Sequence, residues 1–221
     1  METFLLVLAA LFSVINPPGT ALVFLSMTKY APAATRRSLA RRVALNSFFV
    51  MTGSLLIGAL ILKIYGISVP VLRVAGGLIV AASGWKLLNE GTPTMTVDAP
   101  AKTQRADYTS LAFYPLTLPL TTGPGTIAVM ISLGISRSAY SDRADDFWFL
   151  VASLLATVVM AAAIYVCFAY SDRVERMLGS NGTDIAVRLS AFILFCLGIQ
   201  IIWTGTNDLL GSVQWHGRPA T

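Results

Sequence analysis

A chain of 221 residues that is 55% hydrophobic, only 12% charged and of mean hydropathy +0.70 carries more apolar surface than one soluble domain of this size can bury. These proportions exclude a soluble single domain and point to an integral membrane protein in contact with the lipid bilayer. The net charge of +5 comes from 16 Lys and Arg against 11 Asp and Glu, split among short polar stretches, so it reads as a topology signal and no nucleic acid partner is expected.

Six apolar segments follow in chain order, near residues 3–28, 43–64, 68–87, 109–135, 147–170 and 186–207, each long enough for a hydrocarbon core that takes about 20 apolar residues. Unbroken runs without alternation predict helices and not a barrel, the only other structure that pairs all its backbone groups in lipid. Segment one begins at Met1-Glu2 with neither a basic region nor a small-residue cleavage site, and is expected to remain as a span. Midway it is interrupted by Ile15-Asn16-Pro17-Pro18-Gly19-Thr20. In segments two and three, Ser54 with Gly58, and Gly76-Gly77 with Ala81, form small-residue faces suited to close helix packing. Segment four carries the second interruption, Thr121-Thr122-Gly123-Pro124-Gly125-Thr126. Segments five and six hold Cys167 and Cys196, whose spacing makes no metal motif and which are expected as small buried hydrophobes. Tyr65, Trp85, Trp148, Tyr170 and Trp203 fall near segment ends, as an aromatic belt does, and Arg73 and Arg188 are placed to snorkel.

Basic residues orient the spans. Lys29, Arg36, Arg37, Arg41, Arg42, Lys86, Lys102, Arg105, Arg173, Arg176 and Arg188 fall on one side, and Lys63, Arg73, Arg137, Arg143 and Arg218 on the other. The richer side is expected in the cytoplasm, which leaves the N- and C-termini outside.

A shift of 106 residues lays Ile15–Thr28 over Thr121–Gly134 and matches 5 of 14 positions, Pro18, Gly19 and Thr20 on Pro124, Gly125 and Thr126 among them. The chain is therefore expected as a single transmembrane domain, all-α, with repeat one over 1–88, a connecting loop over 89–107, repeat two over 108–210 and a short tail over 211–221. Three spans per repeat is odd, so the halves enter the membrane from opposite sides, as the inverted repeats of secondary transporters do.

Helix-breaking residues at matched places have a physical reading. Pro17, Pro18 and Pro124 cannot donate backbone hydrogen bonds, yet proline suits the first turn of a helix, so new half-helices are expected to begin there. Each break bares amide N–H groups on one side and carbonyls on the other, which in hydrocarbon demands a protein-walled wet cavity. A small zwitterion fits such a place: carboxylate on the amides and on the hydroxyls of Thr20 and Thr126, ammonium on the carbonyls and the Asn16 oxygen. Gly19, Gly123 and Gly125 leave room for close approach, and Thr121 and Thr122 add hydroxyls. Two proline kinks with intrahelical threonine bonds are the structural alternative.

No Asp or Glu lies mid-span, the sole histidine, His216, is in the tail, and no GxxxxGK[ST] loop or nucleophile–base pair occurs. Neither enzymatic chemistry nor any cofactor is expected, and no metal site.

The paired motifs Asn16-Pro17-Pro18-Gly19 and Pro119-Leu120-Thr121-Thr122-Gly123-Pro124-Gly125-Thr126, with Arg73-Val74-Ala75-Gly76-Gly77-Leu78-Ile79-Val80, resemble the MarC family of six-span membrane proteins over nearly the entire chain. The resemblance implies a multi-pass inner-membrane protein whose better understood relatives move small neutral amino acids, glycine and alanine. Export or exchange of such amino acids by alternating access is the first expectation, with a channel or a non-transporting accessory protein as the alternative.

Overall fold

The computed structural model describes residues 2–28, 31–90, 112–137 and 143–212. Most of the expected connecting loop, with Lys102 and Arg105, and the tail with His216 and Trp215 lie outside the described residues. Seven α-helices and one wide-turn segment follow in order: α1 Glu2–Ile15, α2 Pro17–Met27, α3 Ala33–Tyr65, α4 Val69–Glu90, the π segment Ala112–Thr121, α5 Pro124–Arg137, α6 Arg143–Ala169 and α7 Ser171–Ser212. No strand occurs among the described residues.

Five stretches are long and apolar enough to cross a membrane: Glu2–Leu25, Ala33–Tyr65, Val69–Asn89, Asp146–Ala169 and Ile185–Gly211. The expected fourth span is different. Only Pro124–Ile135 is an apolar helix there, too short alone, and it is preceded by the π segment. Its cause is local: Tyr114 (φ −124°, ψ 125°) and Leu118 (φ −111°, ψ 124°) are extended, and each stands directly before a proline, whose ring excludes the preceding residue from helical geometry.

Helix α3 begins ten residues before the expected span because its first turns, with Arg36, Arg37, Arg41 and Arg42, continue as helix where hydropathy no longer marks it. It ends on Gly66 (φ 66°), whose N–H bonds back to the Leu62 and Lys63 carbonyls in a left-handed cap. Within α7, Gly179 (φ 68°) separates a short leading piece from the span.

The core gathers Val7, Leu11 and Ile15 of α1, Phe24 of α2, Met51 of α3, Met130 of α5 and Met160, Ile164 and Phe168 of α6. Phe24 and Phe168 stack at 4.5 Å between ring centroids. Outward faces stay apolar, with Phe49, Leu60, Leu155 and Phe192 exposed, as a surface solvated by lipid must be. Tyr65, Trp85, Trp148, Tyr170 and Trp203 are exposed near helix ends, as the belt reading requires. Cys196 departs from expectation: it lies exposed on the outward side of α7, and only Cys167 is partly buried.

Packing partners come in exchange pairs. Swapping α1 with the π segment, α2 with α5, α3 with α6 and α4 with α7 turns the α3–α5 contact into α6–α2, α1–α6 into π–α3, α4–α5 into α7–α2 and α1–α5 into π–α2. Contacts α4–α7 and α3–α6 map onto themselves. Ion pairs fasten both ends: Arg36 of α3 with Asp172 of α7, and Arg73 of α4 with Asp208 of α7. Arg73 also donates from Nε to Ser132 Oγ at 3.1 Å, so it is tied into the bundle where snorkelling was expected.

The α4–α7 contact, the most extensive, is a seam of small residues. A Cβ on Gly198 would meet the Ala81 amide nitrogen at 2.3 Å, and one on Gly84 the Phe195 nitrogen at 2.5 Å. Both neighbours are main chain and cannot swing aside. Gly76, Gly77 and Gly58 likewise sit against neighbouring helices, as their small-residue faces suggested. Gly198→Ala or Gly84→Ala should therefore destabilise the purified protein by at least the roughly 1–3 kcal/mol of ordinary overpacking, seen as a lowered thermal midpoint in detergent. Gly53, whose Cβ would meet nothing within 4 Å, is the control: Gly53→Ala should be neutral or stabilise by up to about 1 kcal/mol.

Candidate functional site

At the first break Asn16 takes the left-handed conformation (φ 46°, ψ 64°), which asparagine tolerates better than other non-glycine residues. Pro17 and Pro18 then fill the first two positions of α2, where their missing N–H groups and fixed φ suit a helix start. The same prolines leave the Ser13 and Val14 carbonyls, four residues upstream, without helical donors. Thr20 is buried, and its hydroxyl donates to the Asn16 carbonyl (3.1 Å) and the Pro17 carbonyl (3.3 Å) of its own helix.

Threonines stitch the second break. Thr117 and Thr121 donate from Oγ1 to carbonyls five residues back, Ala112 (2.6 Å) and Leu116 (2.7 Å), and the Thr122 N–H reaches the Thr117 carbonyl at 2.8 Å. Helix α3 clamps this junction from the side: Thr122 Oγ1 donates to Ser47 Oγ at 2.7 Å, and Asn46 Nδ2 to Thr117 Oγ1 at 3.4 Å. Helix α5 starts at Pro124, as its proline suggested.

The two breaks meet. A Cβ on Gly125 would stand 3.5 Å from Val14 Cγ1, at the end of α1, and 2.2 Å from Val80 Cγ2 of α4. A Cβ on Gly19 would stand 2.5 Å from Ser190 Cβ of α7. Glycine at each half-helix start thus leaves room for a side chain of another helix to lie against the backbone there.

A cavity of about 310 Å³ lies between the breaks. Eight of the eleven sequence-selected residues line it: Asn16, Gly19, Thr20, Thr121, Gly123, Pro124, Gly125 and Thr126. Pro17, Pro18 and Thr122 do not; the prolines shape the break, and Thr122, fully buried, holds it to α3. Sequence reasoning missed Ile79, Val80, Ser83, Lys86 and Leu87, a helically spaced stripe of α4, and also Tyr114 and Ser190. That stripe is visible in the sequence as spacing, but which face of α4 turns inward is decided by docking against α5 and α7.

The cavity is one-sided. From the breaks it extends toward Met27, Lys86, Leu87 and Tyr114, all near the helix ends on the side of the Arg36–Asp172 pair. No described residue of α1 before Val14 or of α5 beyond Thr126 lines it. On that far side Arg73, Asp208 and Ser132 join α4, α7 and α5. Lys86 is the one charged side chain in the wall among the described residues.

Residues 1–210 match the family described as MarC family integral membrane protein. The inner membrane protein MarC of Salmonella typhimurium is 32% identical over 207 residues, 92% of this chain and 93% of that one. Membrane protein YvbG of Bacillus subtilis is 30% identical over 204 residues, with 92% and 93% covered, and MarC of Escherichia coli O1:K1 is 31% identical over 209 residues. No solved structure matches the chain.

Because Val80 is a side chain that repacking can remove, Gly125→Ala should cost about 1–3 kcal/mol of stability, and Val80→Ala in the same chain should recover at least half of it. Gly19→Ala meets Ser190 Cβ and also Asn16 Nδ2 at 2.6 Å, so Ser190→Gly should rescue it only in part. Thermal unfolding of the single and double variants in detergent measures both.

Proposed function

The chain belongs to the MarC family of integral membrane proteins, and on that footing we propose that it is a secondary transporter exporting or exchanging small neutral amino acids, glycine and alanine first, which it moves unchanged. The single observation that carries this reading is the cavity itself: two helix breaks about a hundred residues apart in the chain come together around one closed-ended space. At about 310 Å³ it sits at the lower bound of ligand pockets, so the solute is small. Its polarity suits a zwitterion. The first amides of α5, at Gly125 and Thr126, with the Lys86 side chain on the same wall, form a place for carboxylate; the Val14 carbonyl bared by Pro18, with the Asn16 side chain, forms a place for ammonium.

The proposed architecture is six spans in two inverted three-span halves, the fourth crossing made jointly by the π segment and α5. The exchange-paired packing supports it. Alternating access then follows from symmetry: the half-helix pairs trade conformations, opening the side now fastened by Arg73, Asp208 and Ser132 and closing the side toward Lys86. The basic ends of α3 and α7 are assigned to the cytoplasm, so the present cavity faces inward and both termini lie outside.

Proteoliposomes loaded with unlabelled alanine should take up labelled glycine and alanine in saturable counterflow, and labelled lysine or glutamate at least tenfold more slowly, because a charge without a partner in this cavity costs several kcal/mol. Equal uptake of the charged pair, or no alanine-dependent glycine entry by folded protein, would overturn the substrate assignment and favour a channel or accessory role. Lys86 is exposed, so Lys86→Gln should raise KM for alanine only about two- to fivefold, with little change in maximal rate. For orientation, a reporter fused after Arg42 should read cytoplasmic and one after Asp142 external; both on one side would remove the inverted arrangement.

A further inference from the structure

A second concavity lies outside the cavity between the breaks, on the lipid-facing side of the bundle. Between α3 and α6 runs a groove of about 610 Å³, walled by Arg41, Ala44 and Phe48 on one side and Ala161, Ala162 and Tyr165 on the other. Ala44, Ala161 and Ala162 are too short to fill the space between the helices, and so the surface is hollow. Its floor is apolar. Arg41 and Tyr165 close the end that lies toward the Arg36–Asp172 pair, and Arg37 stands one turn before Arg41 on the same face of α3. Arg41 is exposed and, among the described residues, has no ion-pair or hydrogen-bond partner, while the groove wall holds no carboxylate.

We propose that this groove binds an anionic phospholipid, its phosphate on Arg41 and Arg37 and one acyl chain lying along the alanines toward Phe48 and Val158. Depth, charge and shape agree on that occupant. Arg41 stands near the end of a membrane-crossing helix, where headgroup phosphates lie, and a guanidinium matches phosphate oxygens two at a time. Tyr165, 39% exposed beside it, offers a hydroxyl at the same level. Further in, nothing polar lines the groove, which suits a hydrocarbon chain. A second copy of the protein fits less well. Two copies in one bilayer share their orientation, so a two-fold contact across this face sets Arg41 and Arg37 at the same depth as the partner's Arg41 and the partner's Arg37, like charge against like.

The proposal is independent of what the cavity between the breaks transports. Its test uses the full-length protein, delipidated in detergent and offered phosphatidylglycerol or phosphatidylcholine, with retained lipid counted by native mass spectrometry. Wild type should retain one phosphatidylglycerol at least tenfold more tightly than phosphatidylcholine. Arg41→Gln should lose that preference, whereas Arg176→Gln, a basic residue at the same end but off the groove, should keep it. A photoactivatable phosphatidylglycerol on unaltered protein should crosslink within residues 41–48 and 158–165, which tests the site without any substitution. Equal retention of the two lipids, an unchanged preference in Arg41→Gln, an equal loss in Arg176→Gln, or crosslinks confined to other faces would each overturn the assignment, as would disulfide trapping of an Ala162→Cys dimer in membranes.

Discussion

Every backbone polar group inside a bilayer must find a partner, and this chain breaks that rule on purpose at two places. Pro17 and Pro18 remove two donors from the middle of the first crossing, and Pro115 and Pro119 disturb the approach to the second. The remainder of the fold answers these losses. Threonine hydroxyls of Thr117 and Thr121 take over carbonyls within the π segment, α3 contributes Asn46 and Ser47, and side chains of α4 and α7 close tightly around the glycines at positions 125 and 19. Val14 and Asn16 at the first break, and Gly125 and Thr126 at the start of α5, line the cavity. Chemistry available to the cavity is thus main-chain chemistry: oriented amides and carbonyls, with Lys86 as the only full charge on the wall among the described residues.

Much of this was legible in the residues, and the exceptions have physical reasons. Pro124 after Gly123, and Pro17 after Asn16, announce helix starts by local rules, and both starts stand where the prolines are. Pro115 and Pro119 carry an equally local signal, the exclusion of a helical residue before proline, but the expected break in 109–135 falls only at Pro124, and the stretch before it reads by hydropathy as ordinary helix. Arg73 was unreadable for a different cause: its partner Asp208 lies 135 positions away, and nothing near either residue specifies the pairing. Val80, Ser83 and Ser190 belong to the same class, since an apolar or hydroxyl side chain gains its place in a cavity only from the docking of other helices. Cys196 shows the limit of apolar counting, because in a membrane an apolar side chain is as content outside the bundle as within.

The two ion pairs divide the bundle's ends unequally. Arg36 with Asp172 joins α7 to α3, a helix that contributes nothing to the cavity wall, while Arg73 with Asp208 and Ser132 joins α4, α7 and α5, three helices that all line it. A closed end built from side chains on three helices is one that helix motion can take apart, whereas the α4–α7 seam of main-chain contacts is suited to moving as a unit.

The exchange-paired packing has a consequence for how such a chain is made. Nearly all extensive contacts run between α1–α4 and the elements after residue 111, and few join neighbours within the first part. When the ribosome has delivered the chain only to the end of α4, Asn16 has α4 alone as a wall, because the remaining lining residues arrive with the π segment, α5 and α7. Helices of the first part therefore gain most of their packing partners only when the elements after residue 111 are in place.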